Sequence, residues 1–179
     1  MLRHVFAAAL LTTLAITPLR SVAQAPADSA PKLLNATEAG AILPPSVFFR
    51  GQSATIQARN SGGVQFSKDA LLLAALVDTS GYSSAVQQKY QAYLITESAI
   101  DIGDHRLAPG AYGFGFIAND QFIVMDIGGH DLFTRKSTHD ANLRRPMPLQ
   151  VLPAPSGHSW RLYAGRSFVE FALAPSAAR

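Results

Sequence analysis

Apolar and polar residues alternate most clearly between residues 92 and 133. From Tyr112 onwards, Tyr112, Phe114 and Phe116 occupy one side of an extended segment, whereas two glycines and Ile117 occupy the other. A period of two is typical of β-strands and not of helices. Turns are predicted at Gly103-Asp104, at Ala108-Pro109-Gly110-Ala111 as a type II turn, and at Ala118-Asn119-Asp120. The pattern therefore predicts three or four consecutive strands joined by tight turns.

The residues before this stretch predict further strands and one helix. Strand-like segments at 47–50 and 54–59 are bounded by predicted turns at 51–52 and 60–63. Leu71–Val77 is apolar at every position, which favours a central strand buried on both faces over a short buried helix. Ser84–Tyr93 is predicted to be helical, because Ser84 and Gln87 resemble a capping box and the apolar residues share one helical face.

The C-terminal residues also predict mainly strands. The polar residues 134–145 contain Ser137, which could cap a single helical turn. A short strand is predicted at 148–152, and the segments 159–163 and 167–173 form a predicted hairpin around Ala164-Gly165-Arg166. Many short strands separated by turns predict an all-β fold, an antiparallel β-sandwich with one or two short helices. A small β-barrel with an interior pocket is the alternative, because it requires the same alternation.

The first residues resemble a secretory signal peptide. Arg3 precedes the apolar run Val5–Ile16, which is too short to span a bilayer, and small residues follow it. We therefore expect a signal peptide over residues 1–25, followed by a flexible leader over 26–43 that is rich in alanine and proline. A single β-rich domain is predicted over 44–174, with a frayed tail at 175–179.

Composition narrows the possible partners. Removing Arg3 and Arg20 with the signal peptide reduces 15 basic side chains to 13, against 12 acidic ones, so the formal charge of +3 becomes about +1. This balance argues against binding to nucleic acid. The sequence contains no cysteine, which excludes disulfides and thiolate chemistry, and no second apolar stretch approaches the length of a transmembrane segment. We expect a secreted or periplasmic protein.

One short motif resembles a known family. The hairpin Ile102-Gly103-Asp104-His105-Arg106-Leu107-Ala108-Pro109-Gly110-Ala111-Tyr112 resembles one in secreted bacterial β-sandwich proteins of the domain of unknown function 2911 type. In that family a glycine turn precedes Leu-Pro-Ala-Gly-x-Tyr, so the proline and alanine are exchanged in this chain. The resemblance covers about a dozen residues and implies a β-sandwich whose corner tyrosine bonds nearby backbone. It implies no activity.

Five residues are candidates for ligand binding. Tyr112, Phe114 and Phe116 could form an aromatic platform for a sugar ring or a hydrophobic ligand, although packing in the core is the more common role of such a stripe. The glycines between them leave a groove on the opposite face, where a helix, such as the one predicted at Ser84–Tyr93, or a ligand could lie. His130 and Asp131 follow two glycines and could contact a ligand or a metal ion. No spacing brings a second histidine to His130, so neither a metal nor a cofactor is predicted.

The sequence predicts no catalytic residues. Gly81-Tyr82-Ser83-Ser84-Ala85 is similar to the nucleophile elbow of serine hydrolases, but alanine replaces the last glycine. Helix capping explains Ser83 better. We therefore expect an exported, non-catalytic binding or structural module of the bacterial envelope or extracellular space, whose partner is a protein or an envelope component. One alternative is a carrier of small hydrophobic ligands with a barrel interior, and another is a serine hydrolase that uses Ser83 or His130.

Overall fold

The computed structural model of the protein describes residues 30–175. The predicted signal peptide and residues 176–179 of the predicted tail lie outside these residues. The described chain forms fourteen strands and two short helices, which in order are β1 (Lys32–Leu34), α1 (Ala36–Ile42), β2 (Ser46–Phe49), β3 (Gln52–Ser67), β4 (Ala70–Val77), α2 (Ser84–Gln87), β5 (Ala92–Thr96), β6 (Ile100–Ile102), β7 (His105–Leu107), β8 (Gly110–Ile117), β9 (Gln121–Met125), β10 (Asp131–Lys136), β11 (Thr138–His139), β12 (Met147–Pro153), β13 (Trp160–Gly165) and β14 (Ser167–Leu173).

The strands form two antiparallel sheets, which confirms the predicted all-β sandwich. Within residues 30–175 the first sheet has eight strands in the order β1-β3-β4-β5-β8-β9-β10, with β2 also paired to β3. The second has six strands in the order β12-β13-β14-β6-β7, with β11 also paired to β14. Neither sheet closes on itself, so the barrel alternative is wrong. The chain passes from β7 in the second sheet to β8 in the first at Pro109. These two consecutive strands therefore do not pair with each other, as they would in an up-and-down barrel.

Apolar side chains from both sheets fill the space between them. The two inner faces interdigitate as in other sandwiches. The largest fully buried members of this inner core are Phe114, Phe122, Leu72, Ile100, Ile102, Leu149 and Leu162. The inner core therefore holds packed side chains where the carrier hypothesis requires a ligand cavity.

The outer face of the first sheet is also covered. A second apolar cluster lies there, beneath α1, the hairpin of β2 and β3, and the chain around α2. Because the first sheet is buried on both faces, β4 carries apolar residues at every position: Leu72 and Ala74 join the inner core, and Leu73 and Ala75 join the outer cluster. The predicted central strand at Leu71–Val77 is confirmed, and its helical alternative is wrong.

The predicted flexible leader is wrong for residues 32–43. The β1 strand pairs with β3, and α1 begins with a capping box in which the Asn35 side chain accepts from the Thr37 and Glu38 backbone N–H groups, 2.9 and 3.1 Å away. Glu38 in turn accepts from the Asn35 N–H at 3.0 Å. Leu34, Ala39 and Leu43 are buried in the outer cluster. Burial of these few apolar residues orders a segment whose composition predicted a flexible leader.

Three further predictions of local structure are wrong because pairing in the sheets overrides local preference. Residues 60–63 lie inside β3 and not in a turn, since register shifts in its pairing with β4 let this long strand bend. The predicted helix at Ser84–Tyr93 ends at Gln87, because residues 92–96 form β5 between β4 and β8. Ser137 caps no helix: it lies between β10 and β11, and its N–H donates to the Asp120 carbonyl.

The predicted hairpins are confirmed, with one change in turn type. Gly103 and Gly165 have φ angles of 64° and 60° in the turns after β6 and β13. Gly110 has no positive φ, so the predicted type II turn at Pro109 is wrong. The Tyr112 hydroxyl donates to the Ala108 carbonyl at 2.9 Å, which ties this corner together as the sequence resemblance implies.

Candidate functional site

The predicted aromatic platform faces the inner core. Phe114 is 1% exposed, and Tyr112 and Phe116 are half-buried against the same core. The Phe114 and Phe116 rings both pack on Phe122, with centroids 5.6 and 5.0 Å away. The second sheet thus covers the side that a ligand would have to reach. Core packing, the more common role of such a stripe, is confirmed.

The groove predicted on the opposite face of β8 exists and is filled by the protein itself. Phe49 and Tyr90 lie over Gly113, and the Lys89 carbonyl lies over Gly115. The Gln91 side chain bonds both the N–H and the carbonyl of Phe116, at 2.9 and 3.0 Å. The segment that fills the groove follows α2, so the predicted neighbour is correct, although the part over the glycines is not helical.

Three loops meet at one end of the first sheet, beside the segment after α2 that covers β8. The hairpin tip between β2 and β3 has positive φ angles at Arg50 (48°) and Gly51 (81°), which suit a two-residue turn of type I′. The Arg50 N–H donates to the Ile127 carbonyl at 2.7 Å, which joins this tip to the turn between β9 and β10. The third loop carries Lys89, whose ammonium lies 2.6 Å from the Asp131 carboxylate.

These loops enclose a small pocket, which we call the rim pocket. It has a volume of about 160 Å³ and is lined by Phe49, Arg50, Ala85, Val86, Lys89, Met125 and Gly129. Phe49, Val86 and Met125 are buried and form an apolar floor. Arg50 and Lys89 supply positive charge at the rim, and the Arg50 side chain packs against Gly129, where the φ angle is 84°. The pocket therefore combines an apolar floor with cationic walls.

The charges around the rim pocket are unequally compensated. His130 is held by Asp126, because its N–H donates to Oδ1 at 2.9 Å and its Nδ1 lies 2.9 Å from Oδ2. The His130 backbone N–H, and then its ring, lower the pKa of the Asp126 carboxyl. Lys89 is balanced by Asp131, although this pair is half-exposed and contributes little to stability. Arg50 belongs to none of the ion pairs among residues 30–175.

Two of the predicted ligand-binding residues, His130 and Asp131, thus lie beside the rim pocket and position residues that line it. Asp131 holds Lys89, and His130 folds the turn that carries Gly129. Arg50 and Phe49 were not identified from the sequence. The Phe-Phe-Arg-Gly order does indicate a strand entering a turn, but not which distant loop the turn meets.

Neither the hydrolase nor the metal hypothesis gains a site. Ser83 occupies the position before α2, but its hydroxyl makes no capping hydrogen bond, and none of the side-chain hydrogen bonds among residues 30–175 joins it to a histidine. His130 is engaged by Asp126, while His139 pairs with Ser167 on the second sheet. In the same residues, no three histidine, aspartate or glutamate side chains form a group that could hold a metal ion.

Comparison with known proteins finds no matching family model, no significantly similar curated protein and no significantly similar solved structure. The resemblance of the hairpin ending at Tyr112 to the domain of unknown function 2911 type stays an expectation from the sequence. No helix in residues 30–175 is both long enough and apolar enough to cross a membrane.

Proposed function

We propose that this protein is exported to the periplasm or the extracellular space and acts there as a non-catalytic binding or structural module. The N-terminal pattern of Arg3, an apolar run and small residues supports export. A sandwich with a packed interior supports binding at its loops, because loops at the ends of a rigid scaffold are where such folds present functional residues.

The rim pocket is the observation that carries the binding proposal. Arg50, which has no acidic partner within residues 30–175, stands beside an apolar floor, and arginine is enriched among the residues that dominate interface energies. The hairpin and the bond to Ile127 hold the Arg50 backbone in place before a partner arrives. The complementary group is an acidic side chain or head group with an adjoining apolar part, on a protein or another component of the envelope.

Site-directed photo-crosslinking tests this proposal. Ile127, whose carbonyl accepts from the Arg50 N–H, is 48% exposed, whereas Leu173, at the end of β14, is 43% exposed and serves as a matched control. A photoreactive residue at 127 in the full chain should give a discrete adduct in the envelope fraction, and one at 173 should not. Equal labelling from both positions, or none from 127, contradicts the proposal. So does hydrolysis of generic ester or peptide substrates that is lost in Ser83→Ala.

A further inference from the structure

A half-buried arginine lies at the open side of the sandwich, where β10 of the first sheet faces β7 of the second. Arg135 is on β10, in register with buried Phe122. Residues 133 and 135 of a strand share one face, and Phe133 packs against the inner core, so the Arg135 side chain also enters the space between the sheets. The guanidinium ends against the hairpin of β6 and β7, directly over Gly103.

The surroundings of Arg135 leave two of its guanidinium nitrogens without a hydrogen-bond acceptor among residues 30–175. The Nε and Nη1 atoms are shielded from solvent and have no hydrogen-bond partner among the described residues. A Cβ atom on Gly103 would occupy the position of Nη1, so only glycine fits beneath the guanidinium. Polar atoms that are shielded from solvent are almost always hydrogen-bonded, so two N–H donors without an acceptor are unfavourable. An acceptor from outside the described residues would satisfy them.

The nearest carboxylates of the hairpin are turned elsewhere. Asp101 accepts two bonds from the Arg106 guanidinium, at 2.9 and 3.1 Å. Asp104 is 85% exposed and lies 3.6 Å from the His105 ring. His105 itself stacks on Phe133, with ring centroids 4.3 Å apart, which anchors the hairpin beside Arg135. The hairpin turn over the guanidinium, Gly103-Asp104, is exposed and forms only a thin cover.

We propose that Arg135 is an anion-binding site for a small oxyanion, a carboxylate or a phosphate, that enters between β7 and β10 from the solvent side. The oxyanion accepts hydrogen bonds from the guanidinium, whose planar fork matches two oxygens of either group. The exposed Gly103-Asp104 turn moves outwards to admit it, while the stack of His105 on Phe133 keeps the rest of the hairpin in place. This site is separate from the rim pocket and does not depend on the proposed function.

Thermal unfolding of the mature protein in inorganic phosphate, in acetate and in chloride at equal ionic strength tests the site. An anion that binds only the folded state should raise the Tm saturably, by about 3 °C or more above chloride at saturation. Phosphate and acetate separate the two chemistries. Arg135→Met should lose the effect. Lys136→Met, which removes the neighbouring charge on the opposite face of β10, should retain it.

Three results would overturn the assignment: no effect beyond that of chloride, an effect that survives in Arg135→Met, or an effect that is lost in Lys136→Met. If Arg135→Met fails to fold, the Nε–H resonance of Arg135 in the wild-type protein provides the test. It should shift in a saturable way with phosphate or acetate and not with chloride, and a resonance unaffected by all three anions would rule the site out.

Discussion

The rings of Phe49 and Tyr90 stack with their centroids 3.8 Å apart and an interplanar angle of 14°, directly over Gly113 in β8. Tyr82 meets both rings edge-on, at 6.1 and 5.3 Å. This aromatic layer fixes the hairpin of β2 and β3 on the outer face of the first sheet. Because Phe49 is also the floor of the rim pocket, the layer positions the candidate site as well.

Substituting Gly113 should disturb this layer. A Cβ atom there would lie 2.5 Å from Phe49 Cε2 and 2.9 Å from Tyr90 Cδ2, and both rings are fully buried. Gly113→Ala should lower the free energy of unfolding by about 1–3 kcal/mol, as other overpacked cores do. Gly81→Ala is the control, because its nearest neighbour is the Gln52 side chain at 3.5 Å. Equal urea midpoints for the two variants would contradict the packing described.

Removing two tyrosine hydroxyls of the layer should have different consequences. The Tyr82 hydroxyl donates to the Phe49 carbonyl at 3.0 Å and lies 3.2 Å from the Gln52 carbonyl. The Tyr90 hydroxyl, in contrast, is buried and has no hydrogen-bond partner in the part of the chain that the structure describes. Tyr82→Phe should cost about 1 kcal/mol, and Tyr90→Phe should be neutral or stabilising, since it removes an unsatisfied polar group. Denaturant unfolding of both variants checks this, and a greater loss in Tyr90→Phe would be inconsistent with the structure.

The same phenol should make stability fall at alkaline pH. Burial, and then the neighbouring tyrosines, raise the pKa of Tyr90 well above its ordinary value of 10. The folded state therefore retains a proton that the unfolded chain releases, so the stability from this group is complete below about pH 10 and is lost as the pH rises further. Tyr90→Phe should lose less stability than wild type between about pH 8 and about pH 11. Parallel losses would show that another group is responsible.

The N-terminal capping box should contribute measurably to folding. Asn35→Ala removes the acceptor for two backbone N–H groups at the start of α1 and should cost about 1 kcal/mol. Glu38→Gln is the milder comparison, because glutamine can still accept from the Asn35 N–H. If chemical denaturation gives Asn35→Ala the stability of wild type, residues 32–43 do not pack as the structure indicates.

Strands and hairpins could be predicted from the sequence because their signals are local. Glycine at 103 and at 165 takes the positive φ that its turn requires, and β4 is apolar throughout because it is buried on both faces. The bend in β3 could not be predicted. Gly63 is needed there because the Leu72 carbonyl of the neighbouring strand lies against it, and that contact depends on the order of strands in the sheet.

The candidate site was predicted only in part for the same reason. His130 and Asp131 follow a visible glycine turn, but Arg50 reaches them through the long-range bond of its N–H to the Ile127 carbonyl. Alternation alone could not show whether Phe114 is buried or part of an exposed platform. Aromatic residues at every second position share one face of a strand, but the pattern does not say whether another sheet covers that face.

The central claim, that the rim pocket binds the partner, is tested most directly by the affinity of the component crosslinked at residue 127 for purified variants. Arg50→Glu reverses the unpaired charge, whereas Arg59→Glu makes the same change at an exposed position farther along β3. We predict that Arg50→Glu raises the Kd at least about tenfold and that Arg59→Glu leaves it within about twofold of wild type. Equal Kd values for wild type and Arg50→Glu would contradict the claim.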